Sequence, residues 1–355
     1  VHDARTGAEL VQIALHDAYA FYVEWSPDDA LLTTVSDDRT VRIVAPVDGS
    51  PVDVLDVHDA STRKVAWSPD GAWRATTAWG GRAFLSPLAA RAAVRRLARG
   101  AGHSYEDQGR LSASRDGARL VVGRRDGSVL FDLEAEERSP EGELPAGGFL
   151  SPAGSLVAAV TGRETIELRL AEGGARVRVL DVPSVSQLNC DWTPSGDALV
   201  CASQSGVFVV PLAGGPDARP RKLYERFGQT RCTAVDPAGG RVAVQWTDEM
   251  ISITDLWAGE TREIVVAFPG WGRSIAWSPD GSWIAASGED RAVRLVDVER
   301  GTVEHVLEGH AHQVDSVAWH PGGTRIATAS RDRTVKLWDV ENGTQVGSLA
   351  HERRV

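Results

Sequence analysis

Long apolar runs are absent from this sequence: no stretch reaches the roughly 18 residues that a membrane-spanning helix requires, and no charged-then-apolar leader precedes the first expected strand. Neither a membrane span nor a membrane partner is expected. Cysteine is scarce, at three in 355 residues, which argues against a disulfide framework, fits a reducing compartment and makes a cytoplasmic location the expectation. Cys190 and Cys201 stand about equally far on either side of the Pro194-Ser195-Gly196 turn, so they are read as cross-strand neighbours. Two small buried thiols are the first reading and a bond between them the alternative. Basic charge is outweighed by acidic, 38 residues against 49, and the formal net charge of −11 disfavours general affinity for nucleic acid. Lysine occurs only at 64, 222 and 336; the preference for Arg, with abundant Ala and Gly, reads as the codon bias of a GC-rich bacterial genome. Signatures of chemistry are missing too: no P-loop, no G-x-G-x-x-G, no Cys-x-x-Cys, no H-E-x-x-H and no EF-hand loop, and no cofactor is expected.

What the chain does contain is a repeat. It is clearest at 309–339, which opens on Gly309-His310, runs through Val314, Val317 and Trp319, turns at Pro321-Gly322-Gly323, continues from Ile326 to Ser330, turns again around Asp332 and ends on Trp338-Asp339. The strand-end anchor recurs near 25, 67, 113, 150, 192, 235, 277 and 319, at spacings of 42, 46, 37, 42, 43, 42 and 42. Pro and Gly at fixed offsets after each anchor predict a hairpin turn, because Pro presets φ and Gly accepts a positive one.

Gly-His, Ala-Trp-x-Pro and Ser-x-Asp-x-Thr-Val-Lys-Leu-Trp-Asp at these spacings resemble the WD40 (Trp-Asp) repeat family. The resemblance implies an all-β fold: a β-propeller of four-stranded antiparallel blades, eight of them, with seven as the alternative, in a single domain over 1–355. Residues 1–16 read as a partial repeat with an extra outer strand at 9–15, so either that strand or 345–350 is expected to complete the last blade. Since the first residues resemble the end of repeat eight, the chain is expected to be part of a longer protein.

The resemblance also implies a buried network in which the Trp338 indole N–H meets a strand hydroxyl, Thr328 or Ser330 on the same face, and this leads on to His310 and Asp332. Such a network stabilises only when every member is satisfied. A Ser, a His and an Asp read alone would suggest a hydrolase triad, but the blade accounts for all three and the nucleophile-elbow pattern G-x-S-x-G does not occur. His310 and His312 lack a nearby carboxylate or thiol in sequence to complete a metal site, so neither a metal nor a catalytic role is expected. Asn342-Gly343-Thr344 reads as a hairpin turn before a glycosylation site.

The resemblance further implies an upper rim at the positions six and four residues before the anchor and twelve after, which in repeats one, two, six, seven and eight are Tyr19, Phe21, Asp37; Ser61, Arg63, Trp79; Gln229, Arg231, Thr247; Trp271, Arg273, Glu289; and Gln313, Asp315, Arg331. Aromatic residues and Arg dominate binding hot spots, so these are the candidate partner-binding residues, with packing inside the ring as the alternative for Trp79 and Trp271. The expected function is non-catalytic protein–protein interaction or sensing. By analogy with similar propellers, the chain would be the propeller part of a bacterial signalling or defence protein fused to a kinase, a nucleotide-binding ATPase or a protease. The partner would be a protein or peptide on the upper rim, or another domain of the same chain. The Trp-Ser-Pro-Asp-Gly anchor also resembles TolB-like and peptidase-associated propellers, which leaves an accessory to an envelope or hydrolase system as the rival.

Overall fold

Alternating Val, Ile and Ala, broken every few residues by turn-forming Ser-Pro-Asp-Gly or Asp-x-Thr, gives short antiparallel strands, and the described residues contain no helix. The computed structural model describes residues 16–46, 50–79, 82–88, 95–98, 110–123, 127–133, 137–138, 144–161, 165–182, 189–212, 219–226, 228–267 and 270–349. Its 32 strands form eight sheets of four, each a meander in chain order. Blade one is β1 (Ala20–Trp25), β2 (Leu32–Ser36), β3 (Val41–Val44) and β4 (Pro51–Leu55). The inner strands of blades two to eight are β5 (Thr62–Trp67), β9 (Arg110–Ala113), β13 (Phe149–Leu150), β17 (Asn189–Trp192), β21 (Thr230–Val235), β25 (Gly272–Trp277) and β29 (Val314–Trp319). The divergent stretch from 110 to 181 forms two full blades like the others.

Because each sheet buries both faces, the core lies in the seams between blades. Eight apolar clusters occupy eight seams, from the one joining Val35, Val41 and Ile43 of blade one to Val65 of blade two, round to the one joining Ala327, Val335 and Leu337 of blade eight to Val23, Trp25 and Leu32 of blade one. That last seam closes the ring, so the propeller has eight blades and not seven. The anchor tryptophans work here twice over. Their rings fill the seam, and the indole N–H of Trp319 donates to the carbonyl of Ala276 (3.1 Å), that of Trp277 to Ala234 (2.9 Å) and that of Trp192 to Phe149 (3.4 Å), in each case on the inner strand of the preceding blade.

The lower turns explain the Ser-Pro-Asp-Gly motif. In blade seven Ser278 Oγ donates to Asp280 Oδ1 (2.5 Å) and accepts the N–H of Trp283 (2.9 Å), while Gly281 takes φ +70°. Cys190 and Cys201 pair directly across β17 and β18 (Ala198–Ser203), both buried and neither in a disulfide.

Blade eight is completed by β32 (Thr344–Leu349), paired antiparallel with β31 (Val335–Asp339), so the fourth strand of the last blade comes from the C-terminal side. The extra strand expected at 9–15 lies outside the described residues.

Candidate functional site

Blade eight contains a connected chain of side-chain hydrogen bonds. Trp338 Nε1–H donates to Thr328 Oγ1 (2.9 Å), Thr328 Oγ1 is 2.7 Å from His310 Nε2, and His310 Nδ1 is 2.8 Å from Asp332 Oδ2. Burial pushes the imidazole below its usual value, against the opposing pull of Asp332, so at neutral pH it is uncharged. The directions then follow: Thr328 O–H donates to Nε2 and Nδ1–H donates to Asp332. Burial alone would raise the Asp332 carboxyl, but the hydrogen bond from His310, with bonds from Thr334 and the Ala311 N–H, holds it well below the carboxylate range. Ser330 takes a different part, donating to the carbonyls of His312 and Gln313 (3.0 and 2.9 Å). The His310 side chain is fully enclosed with both nitrogens engaged, so it is not placed to accept a proton from a substrate.

Blade one repeats most of this arrangement. His16 Nε2 lies 2.7 Å from Thr34 Oγ1 and Nδ1 lies 2.9 Å from Asp38 Oδ2, with Val44 where blade eight has Trp338. In blade two His58 reaches Thr76 (2.8 Å), and its Nδ1 is buried without a hydrogen bond among the described residues. Blade six draws its tryptophan from another strand: Trp246 Nε1–H donates to Ser252 Oγ (2.8 Å).

The rim residues are set by one backbone device. In five blades the residue twelve after the anchor donates its N–H to the carbonyl of the residue six before it: Asp37 to Tyr19, Trp79 to Ser61, Thr247 to Gln229, Glu289 to Trp271 and Arg331 to Gln313, at 2.9–3.1 Å. Between these bonds and the regular ladder the inner strand carries one extra residue, and that residue is Phe21, Arg63, Arg231, Arg273 or Asp315. A bulge re-aims a side chain that would otherwise alternate with its neighbours, which is how each inner strand turns a side chain onto the rim. The Arg231 side chain lies outside the described part of the structure.

Phe21, Arg63, Arg273, Asp315 and Arg331 surround the mouth of the central channel, a cavity of about 690 Å³ that Lys64, Asp191, Ser274 and Ser316 also line. The Arg63 guanidinium carbon stands over two rings, 3.7 Å from the Phe21 centroid and 3.9 Å from that of Trp79. Arg273 is ion-paired with Glu289. Arg331 donates from Nε to Asp315 (2.9 Å), and buried Gln313 donates to the other oxygen of the same carboxylate (2.8 Å), so Gln313 positions Asp315.

A second cavity, of about 540 Å³, opens at the seam of blades eight and one between Tyr19, Asp37, His312 and Arg331. Tyr19 and Trp271 are 42% and 51% exposed, which makes them solvent-facing apolar surface on the rim; Trp271 lines neither cavity. Sequence reasoning missed Lys64 and Asp191 at the mouth, since both lie within strands that read as core. It also missed Glu24, whose Oε2 is buried without a hydrogen bond. Burial pushes the Glu24 carboxyl up to about 8, against the Lys64 cation.

These features define an eight-bladed propeller in which blades one, six and eight are clamped by His–Asp or Trp–hydroxyl bonds and whose rim presents aromatic and charged side chains. The family model for WD40 (WD domain, G-beta repeat) matches residues 10–44, 49–85, 267–297 and 301–339, so the eight-bladed propeller carries WD40 repeats in four places, around blades one, two, seven and eight. No curated protein matches it by sequence. Propellers of this family typically act as protein-interaction scaffolds.

Proposed function

We propose that the ring is a non-catalytic recognition domain that binds a protein or peptide on its upper rim across blades seven, eight and one. The observation that supports this most is the grouping of exposed Tyr19 and Trp271 with the bulged Phe21, Arg273 and Asp315 and with Arg331 on one face of a rigid ring. A rigid scaffold loses little entropy on binding, so a few desolvated aromatic and Arg anchors carry most of the affinity. The domain would work in a reducing compartment such as the cytoplasm, as the sensing part of a bacterial signalling or defence protein fused to a kinase, nucleotide-binding ATPase or protease. The same face would serve equally to hold another domain of the same chain.

Charge reversal at Arg273 and Arg331 combined with Trp271→Ala tests the proposal. Lost partner capture with unchanged basal activity of the full-length protein is the outcome for docking of a separate partner. Raised basal activity is the outcome for restraint of a domain in the same chain. No effect on either removes this face from the account.

A further inference from the structure

We propose that the channel mouth recognises an acidic peptide, a partner segment whose Asp or Glu side chains enter between Arg63, Arg273 and Arg331. This rests on the rim reading above and names the chemistry of the partner. Four cations stand at the mouth (Arg63, Lys64, Arg273, Arg331) against three carboxylates, Asp191 and Asp315 in its lining and Glu289 paired with Arg273, in a chain whose net charge is −11. The local sign is therefore opposite to that of the molecule.

The geometry favours carboxylates in particular. Asp315 is already held by Arg331 Nε and Gln313 Nε2, and the two terminal amino groups of Arg331 stand outside that pair. The Arg63 guanidinium carbon stands over both the Phe21 and the Trp79 ring, which holds the group in place at the mouth. A guanidinium held in this way meets a carboxylate side-on, the two-point geometry in which Arg–carboxylate hydrogen bonds are strongest. The cations stand on blades two, seven and eight, while Asp191 stands on blade five across the channel, so the mouth is polarised and would orient an acidic segment lying over it. A cavity of about 690 Å³ has room for a few such side chains.

The overall charge makes the test discriminating, because the acidic surface as a whole repels an acidic peptide and attracts a basic one. The probe is a fluorescein-labelled deca-glutamate peptide titrated with the whole chain by anisotropy, beside deca-lysine, a phosphoserine peptide and an oligothymidylate of the same length. Saturable deca-glutamate binding that Arg63→Gln and Arg331→Gln each weaken about ten-fold, and that Trp257→Ala on the opposite face leaves unchanged, is the expected result. Circular dichroism melts confirm that each variant is folded, and Arg331→Lys serves as a milder second variant. No saturable deca-glutamate binding, binding indifferent to both Arg substitutions, or tighter binding of any of the other three probes overturns the proposal. If deca-glutamate fails while a captured partner still shields Trp271 from solvent, the acidic-peptide inference falls and rim docking stands.

Discussion

Replacing His310 by alanine removes the centre of the blade-eight network, and the structure contains its own control in His58. His310 bridges two buried groups, Thr328 Oγ1 at 2.7 Å and Asp332 Oδ2 at 2.8 Å, whereas among the described residues His58 bonds only Thr76 Oγ1 at 2.8 Å and its buried Nδ1 has no hydrogen bond. At about 1–2 kcal/mol for each buried partner left short, His310→Ala should cost about 2–4 kcal/mol and His58→Ala about half that. Trp338 still donates to Thr328, and Ala311 and Thr334 still bond Asp332, which keeps the loss below that of an isolated buried charge. The gap should also depend on pH. The folded-state values of His310 and Asp332 both lie below their ordinary ones, so each contributes stability that is present above its unfolded value and lost as pH falls. The difference between parent and His310→Ala should therefore narrow progressively below about pH 6.5. Urea unfolding followed by tryptophan fluorescence at pH 8, 6 and 5 measures it. Equal costs for the two histidines, or a gap that widens in acid, would refute the reasoning.

Glu24 predicts the opposite pH trend. Its folded value is raised to about 8 from a usual 4.5, so the stability lost to its burial grows as pH rises through that window. Glu24→Gln should be nearly neutral at pH 5 and stabilising at pH 8, with a slope of at most ~1.4 kcal/mol per pH unit; parallel stability curves for the two proteins would count against it. The fully buried Arg74 of blade two reaches Asp53 of blade one (3.3 Å) and the carbonyl of Pro87 (3.0 Å). Asp53→Ala leaves that guanidinium without its carboxylate and should cost about 3–5 kcal/mol, more than Arg74 and Asp53 replaced together by apolar residues; thermal melts of the three variants decide it.

The eight blades were legible because the signals that make them are local. An anchor residue, a Pro-Gly or Asp-Gly turn and an Asp-x-Thr turn each act within a few residues, and their period survives where the tryptophans do not, as at Ala113 and Leu150. The rim positions were legible for the same reason, since fixed distances from the anchor place Phe21 and Arg273 on equivalent bulges.

What the chain did not reveal depends on contacts between blades. Arg74 reads as a surface residue, and only the approach of blade one supplies the Asp53 that lets it be buried. Gln313 and Asp315 lie two apart, and nothing in that spacing shows that Gln313 and Arg331, sixteen residues beyond Asp315, would both hold its carboxylate. Trp246 was unreadable as a network member because it stands on the second strand of its blade and Trp338 on the third.

The claim that the upper rim is the binding face is tested most directly by oxidative footprinting of the tryptophans with and without a captured partner. Trp271 on the upper rim and Trp257 in the turn after the third strand of blade six, on the lower face, are 51% and 52% exposed, so they start equally reactive. The account predicts that the partner protects Trp271, together with Tyr19, and leaves Trp257 unchanged. Protection of Trp257 with Trp271 still fully reactive would contradict it.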